Sequence, residues 1–489
     1  MTQVPLIIDT DPGVDDLLAI LLAIASPEVS LEGITLTFGN TTLDYAHGNI
    51  LRLSHALNVT CKDGAITNET LRERIEHGMN GKPIPVALGA EKPMGGRLFT
   101  ASYFHGRDGM SGVSFLEGNP YPMADSNPLF DAKPIATPAD EFILDVIRRH
   151  PPHTVRIAAV APLTNLANAY LKDPETFSRV GCISVMGGAL DVPGNTSPTG
   201  EFNFFADPWA AKVLLEDATL DGRRLPIHLL PLDTTTKHTV PYSHIMMDES
   251  SELYKKNYLF RLITHFLRKP RSVTNSFAPP NVPFDPAKYD LFEAHDPLAV
   301  AHAIFYTDAE LWGDTERPFL VETDGRHTRG FCVVDRRQQG EDHRVLARLH
   351  DQPARGGGQE DTASDGEAAD DQQPAHRIAH PRDREGGEDG DRHADHAEQV
   401  AADRRRGVAQ ALQGLDETDA GHQVQQRDEV HAHASRSLFG SCRRFVSGRR
   451  TLFFLEHLEH APGHGEASED VDARDKDPDE GQDGDPDAL

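Results

Sequence analysis

Short apolar runs alternate with segments of helical periodicity through the first two thirds of the chain. The runs typical of buried strands are Val4–Ile8, Val29–Phe38, Ile84–Leu88, Thr154–Val160, Cys182–Met186 and Leu225–Leu230. The segments with helical patterns are Asp15–Ala25, Leu43–Leu57, Pro138–Arg149, Leu163–Leu171, Pro208–Leu215 and Pro297–Phe305. This alternation predicts an α/β fold, with an open, mostly parallel, Rossmann-like sheet flanked by helices.

Polar or glycine residues follow several of the predicted strands. Asp9 and Asp11 end the first strand, and Asn40 follows the second. Ala161–Asn165 follows a middle strand, and Gly187-Gly188 follows a later one. Ligands of such sheets bind in the crevice beyond the carboxyl ends of the strands. We therefore expect the functional site at this edge of the sheet.

Four aspartates, Asp9, Asp11, Asp15 and Asp16, lie within eight residues. A helix N-cap accounts for one or two of them. Four unpartnered carboxylates repel one another, and a hard cation that takes oxygen ligands turns this cost into a binding site. The cluster favours a metal or polyol site over helix capping alone.

Composition divides the chain of 489 residues into two unequal parts. Residues 1–340 are predicted to be one globular domain. Residues 341–489 form a low-complexity tail with one Lys and 17 Arg against 35 acidic residues, a net charge of −17 out of −29 for the whole chain. The tail contains no Asn, Tyr, Trp or Met. It has too few apolar residues to offset the entropy of ordering, so we expect it to be disordered.

A second hypothesis, which we prefer to a natural disordered tail, explains the composition at the level of the gene. Many Arg with almost no Lys is typical of a GC-rich gene that is translated out of frame or through an intron. Under this hypothesis residues 341–489 are an artefactual extension. Sequencing the transcript across the codons near Gln338 tests it, and an uninterrupted frame would refute it.

Several protein classes are disfavoured. The four cysteines are scattered without a CxxC pair, which indicates neither a zinc site nor a disulfide framework. The N-terminus has no basic region and no small-residue cleavage site, and Leu17–Ala25 is too short to span a bilayer. No basic patch dominates the body, which disfavours nucleic acid as a partner. We expect a cytoplasmic protein that binds neither membranes nor nucleic acid.

The octad Asp9–Asp16 resembles the N-terminal signature of the inosine–uridine preferring nucleoside hydrolases. Further segments similar to that family occur in the same order, and the resemblance covers roughly residues 4–336. These segments are Gly39-Asn40, Ala161–Asn165, Met186–Gly188, Gly194-Asn195, Glu201–Asn203, Asp207-Pro208 and His295–Pro297. The resemblance implies a Ca²⁺ enzyme that hydrolyses the N-glycosidic bond of ribonucleosides to ribose and free base.

The resemblance also implies ligands for the cation. Asp11, Asp16 and Asp296 would supply carboxylates, and Val160 would supply its backbone carbonyl. The 2′- and 3′-hydroxyls of ribose and a water would complete the shell, in keeping with the six to eight oxygens that Ca²⁺ takes. Asp9 would support these ligands from behind.

The substrate contacts follow from the same resemblance. Residues matched to sugar contacts are Asp15, Asn195, Glu201 and Asn203, whereas His105 matches the family's base pocket. A surface-loop histidine is an equally good interpretation of His105.

The resemblance also implies which residues catalyse the reaction. Cleavage of a ribosyl C–N bond builds positive charge on the sugar, which nearby carboxylates stabilise. Asp11 would take the proton of the attacking water, Asn40 would lie near the reacting centre, and His295 would be the acid for the departing base.

Two other functions compete with this one. An Asp-x-Asp after a strand is also the motif of Mg²⁺-dependent phosphatases of the haloacid dehalogenase class, and Asp9 and Asp11 have that spacing. A catalytically inactive ribose-binding protein would keep the same matched residues. The sequence leaves base preference open, and the resemblance implies a homo-oligomer, either dimer or tetramer.

Overall fold

The computed structural model describes residues 3–124, 128–220, 222–308, 311–313 and 315–336, together with the backbone of a short strand at 375–378. Its strands are β1 Val4–Thr10, β2 Val29–Leu36, β3 Val86–Leu88, β4 Arg156–Ala159, β5 Cys182–Met186, β6 Thr219–Leu220, β7 Arg223–Arg224, β8 Ile227–Leu230, β9 Thr239–Pro241, β10 Leu291–Glu293, β11 Thr315–Pro318, β12 Leu320–Val321, β13 Cys332–Val333 and β14 Ala375–Ile378.

The helices come between and after these strands. They are α1 Val14–Ala25, α2 Leu43–Lys62, α3 Glu69–His77, α4 Ser102–His105, α5 Ala139–Arg149, α6 Thr164–Lys172, α7 Pro174–Phe177, α8 Phe202–Ala206, α9 Pro208–Lys212, α10 Leu232–Thr235, α11 Tyr242–Ile245, α12 Glu252–Lys256, α13 Tyr258–Phe266, α14 Arg268–Asn275, α15 Pro286–Tyr289 and α16 His295–Phe305. A 3₁₀ turn spans Val113–Phe115, and a π-helical turn at Val213–Asp217 continues α9.

The main sheet has the strand order β11-β14-β8-β5-β4-β1-β2-β3. Its six central strands, from β8 to β3, are parallel, which confirms the predicted open α/β fold. The direction of winding reverses between β1 and β4, so the crevice of the fold lies beside the end of β1. The first aspartates of the octad lie there.

Alternate side chains of β1 enter two separate cores. Leu6 and Ile8 join the core under α1, α2 and α16, whereas Ile7 joins the core under α5 and α6. Successive residues of a strand point to opposite faces. The apolar run Val4–Ile8 is continuous because both faces of the sheet are covered by helices.

Two guanidinium groups anchor the C-terminal ends of α1 and α16. Arg74 of α3 donates to the carbonyls of Ile24 and Ser26 at 2.7 and 2.8 Å. Arg156 of β4 donates to the carbonyl of Ile304 at 2.6 Å. A cation at this end of a helix satisfies orphan carbonyls and opposes the negative end of the dipole.

The observed boundaries depart from the predicted ones in a few places. The predicted strand Ile84–Leu88 begins only at Val86, because Ile84 instead forms an isolated bridge with Phe130. Lys62–Lys82, which the sequence pattern leaves without a role, contains α3, whose N-cap is Asn68.

The predicted tail, residues 341–489, lies outside the described residues except for β14, whose backbone pairs with β8 and β11. The domain boundary at 340 therefore stays a prediction. Within the described part of the chain, no helix combines the length and apolar character needed to cross a membrane.

Candidate active site

A cavity of about 460 Å³, a volume that includes its open mouth, lies at the carboxyl edge of the parallel strands. All of the predicted site residues line it except Asp11 and Asp16, which are fully buried. The lining residues are Asp15, Asn40, Ala101, Tyr103, Phe104, His105, Val160, Met186, Asn195, Glu201, Phe202, Asn203, His295 and Asp296.

Three carboxylates converge at one side of this cavity. Asp15, Asp16 and Asp296 each place an oxygen within 4.8 Å of the others. Asp15 and Asp16 lie in the first turn of α1, and Asp296 lies in the first turn of α16. The positive ends of two helix dipoles therefore face the three negative charges.

Asn40 links Asp11 to this cluster. Its backbone N–H donates to Asp11 Oδ2 at 2.5 Å, and its side-chain amide donates to Asp16 Oδ2 at 2.8 Å. A Cβ at Gly39 would overlap the Asp11 carboxylate, so only glycine permits this approach. The Gly39-Asn40 pair thus fixes the orientation of Asp11 beside the three converging carboxylates.

The carboxylate cluster fits a hard cation. Burial, reinforced by the neighbouring carboxylates, raises the pKa of Asp15 to about 7 and the pKa of Asp11 and Asp296 well above the usual range. Asp15 Oδ1 and Asp296 Oδ2 are buried without a hydrogen-bond partner. Among the described residues, no Lys or Arg lies within 4.0 Å of these carboxylates to neutralise them. A cation with oxygen ligands would remove this repulsion.

Asp9 lies behind the cluster and does not line the cavity. Its Oδ1 accepts hydrogen bonds from Thr35 Oγ1 at 2.6 Å and from Asn165 Nδ2 at 2.8 Å. Burial raises the pKa of Asp9 to about 7. Asn165 belongs to the Ala161–Asn165 motif, so that motif and the octad meet at Asp9.

Another part of the cavity wall is built at the start of α8. The Glu201 carboxylate accepts hydrogen bonds from the backbone N–H groups of Gly188, Asn203 and Phe204 at 2.8, 2.7 and 3.0 Å. Burial raises its pKa. These bonds cap α8 and tie it to the glycine turn after β5, so Glu201 is held in one position.

Asn203, Val160 and Asn195 offer polar atoms on the same wall. Asn203 Nδ2 donates to the carbonyl of Met186 at 3.0 Å and, more weakly, to the carbonyl of Val160 at 3.4 Å. The Val160 carbonyl, predicted as a metal ligand, thus lies beside a predicted sugar contact. Asn195 Oδ1 is buried without a hydrogen-bond partner.

Two histidines complete the cavity. His295 Nδ1 is 2.5 Å from Thr235 Oγ1, and its Nε2 is 3.4 Å from a carboxylate oxygen of Glu293. His105 Nδ1 accepts the backbone N–H of Val14 at 3.2 Å, and burial lowers the pKa of His105 to about 3. His105 is therefore a neutral imidazole of the cavity wall with its proton on Nε2, and not a surface-loop residue.

The sequence of the segments that form this site, and of most of the chain, matches a known protein family. The sequence model of the inosine-uridine preferring nucleoside hydrolases matches residues 6–355. The chain belongs to this family. Nucleoside hydrolases are glycosidases that cleave N-glycosidic bonds and depend on a metal, so the chain is an enzyme of that class and the phosphatase alternative is wrong.

Known relatives align with about two thirds or more of this nucleoside hydrolase. A pyrimidine-specific ribonucleoside hydrolase, RihA, of Enterobacter sp. (strain 638) is 30% identical over 333 residues, 68% of this chain and 88% of that protein. A plant nucleoside hydrolase structure is 26% identical with a TM-score of 0.53, covering 78% of this chain and 95% of that one. A purine-preferring ribonucleoside hydrolase structure from Gardnerella vaginalis is 25% identical, with a TM-score of 0.51 and coverage of 68% and 88%.

Some residues at the cavity of this nucleoside hydrolase were not identified from the sequence. Tyr103 and Phe104 line it from α4. They directly precede His105, so their position beside a suspected pocket residue was an available signal. Thr235 does not line the cavity but contacts His295 from behind it. It follows β8, so the strand-end rule that found Asp9 and Asn40 applies equally to this residue.

Proposed function

We propose that this chain hydrolyses the N-glycosidic bond of ribonucleosides, giving ribose and free base, with Ca²⁺ as its resident cation. One observation supports the proposal above the others. A single cavity brings converging buried carboxylates together with His295 and His105 of its lining. A leaving base needs a proton donor, and a ribosyl cation needs negative charge.

Asp11, Asp16, Asp296 and the Val160 carbonyl would hold Ca²⁺. When bound, the cation would orient the sugar hydroxyls and lower the pKa of a water molecule. Asp15 lies as close to Asp16 and Asp296 as one coordination sphere requires. We assign Asp15 to the sugar because the residue lines the cavity, whereas Asp16 does not, and because its buried Oδ1 has no hydrogen-bond partner.

Asp11 would accept the proton of the attacking water. Its two oxygens receive hydrogen bonds from the backbone and side chain of Asn40 at 2.5 and 3.3 Å, so the carboxylate enters the reaction already oriented. The remaining carboxylates would stabilise the positive charge that develops on the ribosyl ring.

The sugar would be held by groups with unused bonding capacity. Asn195 Oδ1 and Asp15 Oδ1 are buried acceptors without partners, suited to ribose hydroxyl donors. Glu201 and Asn203 are fixed by their bonds to backbone groups. Such preorganised groups bind a sugar with little loss of side-chain entropy.

His295 would donate the proton to the departing base. Thr235 and Glu293 contact its two ring nitrogens, which fixes the ring in the cavity. His105 has a different role in this proposal. Because its pKa is lowered to about 3, it would donate a hydrogen bond from neutral Nε2 and not act as an acid.

A substrate panel tests the proposal. Inosine, uridine, cytidine and adenosine are each incubated with the protein in CaCl₂ and after chelation, and free base and reducing sugar are measured. We expect base release that needs the cation and is abolished in Asp11→Asn, while Asp145→Asn, a change at an exposed carboxylate, keeps wild-type turnover. Binding of ribose without release of base would favour the inactive ribose-binding alternative.

The same panel addresses base choice, since the named relatives include pyrimidine-specific and purine-preferring enzymes. The proposal covers both base classes. A homo-oligomeric state, dimer or tetramer, and a cytoplasmic location stay predictions. Light scattering of the full chain measures the former.

A further inference from the structure

The turn Arg329–Phe331, between β12 and β13, packs against the C-terminal end of α8. Arg329 Nε donates to the carbonyl of Phe205 at 2.7 Å, and Nη2 donates to the carbonyls of Ala206 and Gly95 at 3.2 and 3.3 Å. The guanidinium thus satisfies the carbonyls at the end of α8 and joins them to a second segment.

The two residues after Arg329 bring the backbone of the turn against the same helix. A Cβ at Gly330 would lie 2.5 Å from the backbone nitrogen of Phe205, and Gly330 has φ +75°. Phe331 forms an antiparallel bridge with Gly200, just before the helix. The turn therefore contacts both ends of α8 from outside the cavity.

Aromatic rings enclose the Arg329 guanidinium. Its carbon lies 5.5 Å from the centre of the Phe99 ring and 5.8 Å from that of Phe205. Phe99 belongs to a small apolar cluster that also contains Ala101 and Phe202, both of which line the cavity. The cation is thus packed against the back of the cavity wall.

Helix α8 has only five residues, too few to be stable alone. Its position depends on what binds its ends. Glu201 caps the N-terminal end and Arg329 binds the C-terminal end. Glu201 and Asn203, the proposed sugar contacts, lie at the N-terminal end, so a shift of α8 would move both.

We propose that Arg329 is a positioning residue for the sugar-binding wall. It acts through α8 on Glu201 and Asn203, and the ligand whose binding it controls is the ribosyl group. The inference rests on the proposed function, because that function makes this wall the ribose contact. Arg329 itself touches no substrate.

The test uses the full chain with CaCl₂ and D-ribose as the probe. Ribose affinity is measured by calorimetry, and KM and kcat are measured on the best nucleoside of the panel. In Arg329→Met we expect the ribose Kd and KM to rise together, on the order of tenfold, with a smaller change in kcat. Arg329→Lys should restore part of the affinity, since a point charge replaces the planar fork.

Arg317→Met is the matched control. Arg317 is a half-buried arginine of β11 whose guanidinium donates to Asp191 at 2.9 Å and not to the carbonyls of α8. Ribose affinity should stay at the wild-type value in this variant. Gly330→Ala is a second test, because its methyl group would displace the backbone of α8 while Arg329 is retained.

Unchanged ribose affinity in folded Arg329→Met and Gly330→Ala would overturn the inference, even if both variants melt at lower temperature. If Arg329→Met does not fold, the ribose affinity of Arg329→Lys is compared with that of wild type, and an unchanged affinity overturns the inference. A wild-type protein that binds ribose but releases no base refutes the proposed function and leaves this test intact. A wild-type protein that does not bind ribose refutes both.

Discussion

Replacing Asp296 by Asn tests whether the buried carboxylates are retained for a cation. Asp296 Oδ2 is buried without a partner, and its pKa is raised by burial and by the surrounding carboxylates. Without a cation, a neutral amide relieves this repulsion. Asp296→Asn is therefore expected to be more stable than wild type in a chelating buffer, although it loses a cation ligand.

Two magnitudes of opposite sign decide the order of stabilities. A buried carboxylate without a partner carries a desolvation penalty of about 1–3 kcal/mol or more, most of which comes from its charge, and loss of that charge sets the gain of the variant in chelator. Ca²⁺ at about 100 times its Kd would stabilise wild type by roughly 2.7 kcal/mol. For a folded body of this size, 1 kcal/mol corresponds to about 1.5 °C, so the calcium shift should be about 4 °C in wild type and near zero in the variant.

Calorimetry of both proteins in EGTA and in CaCl₂ measures the four melting temperatures. Asp290→Asn is the control, since Asp290 is a buried carboxylate paired with Arg271 at 2.6 Å. It should be less stable than wild type in both buffers and keep the calcium shift. A variant at Asp296 that melts below wild type in EGTA, or that keeps the full calcium shift, refutes the reasoning.

Three further outcomes are expected. Gly39→Ala should lower kcat/KM on the order of 100-fold, because its methyl group would displace the Asp11 carboxylate, whereas Gly313→Ala, which has open space around it, should be neutral in the same base-release assay. Arg74→Met should cost about 3 kcal/mol in urea unfolding, since the carbonyls at the end of α1 lose a charged donor, and a loss below about 1 kcal/mol contradicts this. Burial lowers the pKa of His302 to about 3, so the unfolded chain binds a proton below about pH 6.5 that the folded chain does not bind. The free energy of unfolding should therefore fall by about 2 kcal/mol between pH 7 and pH 5, and His302→Gln should reduce that dependence on pH.

The sequence predicts the central sheet well because its signals are local. Val4–Ile8 is apolar throughout, and the structure covers both of its faces. Strand-end reasoning singles out Asp9 and Asn40 because parallel strands bring their carboxyl ends to one edge whatever their order. The roles given to the individual site residues stay predictions.

Other features depend on contacts that no local pattern encodes. Arg74 is sequence-remote from the carbonyls it binds, and Arg329 reaches α8 across more than a hundred residues. Spacing within the octad does not tell which carboxylates converge. The carboxylate of Asp15 lies near those of Asp16 and Asp296, whereas that of Asp11 lies beside Asn40. Asp15 and Asp16 are in the first turn of α1 and Asp11 precedes it, so their side chains leave the backbone in different directions.

The converging carboxylates also set an order of events during protein synthesis. Asp15 and Asp16 are among the first residues to leave the ribosome, but Asp296 follows only after most of the body has been made, on a helix that packs against α1. The cation site therefore cannot form on a short nascent chain. Any truncation before residue 296 removes it, whereas a truncation after residue 336 removes none of the described site residues.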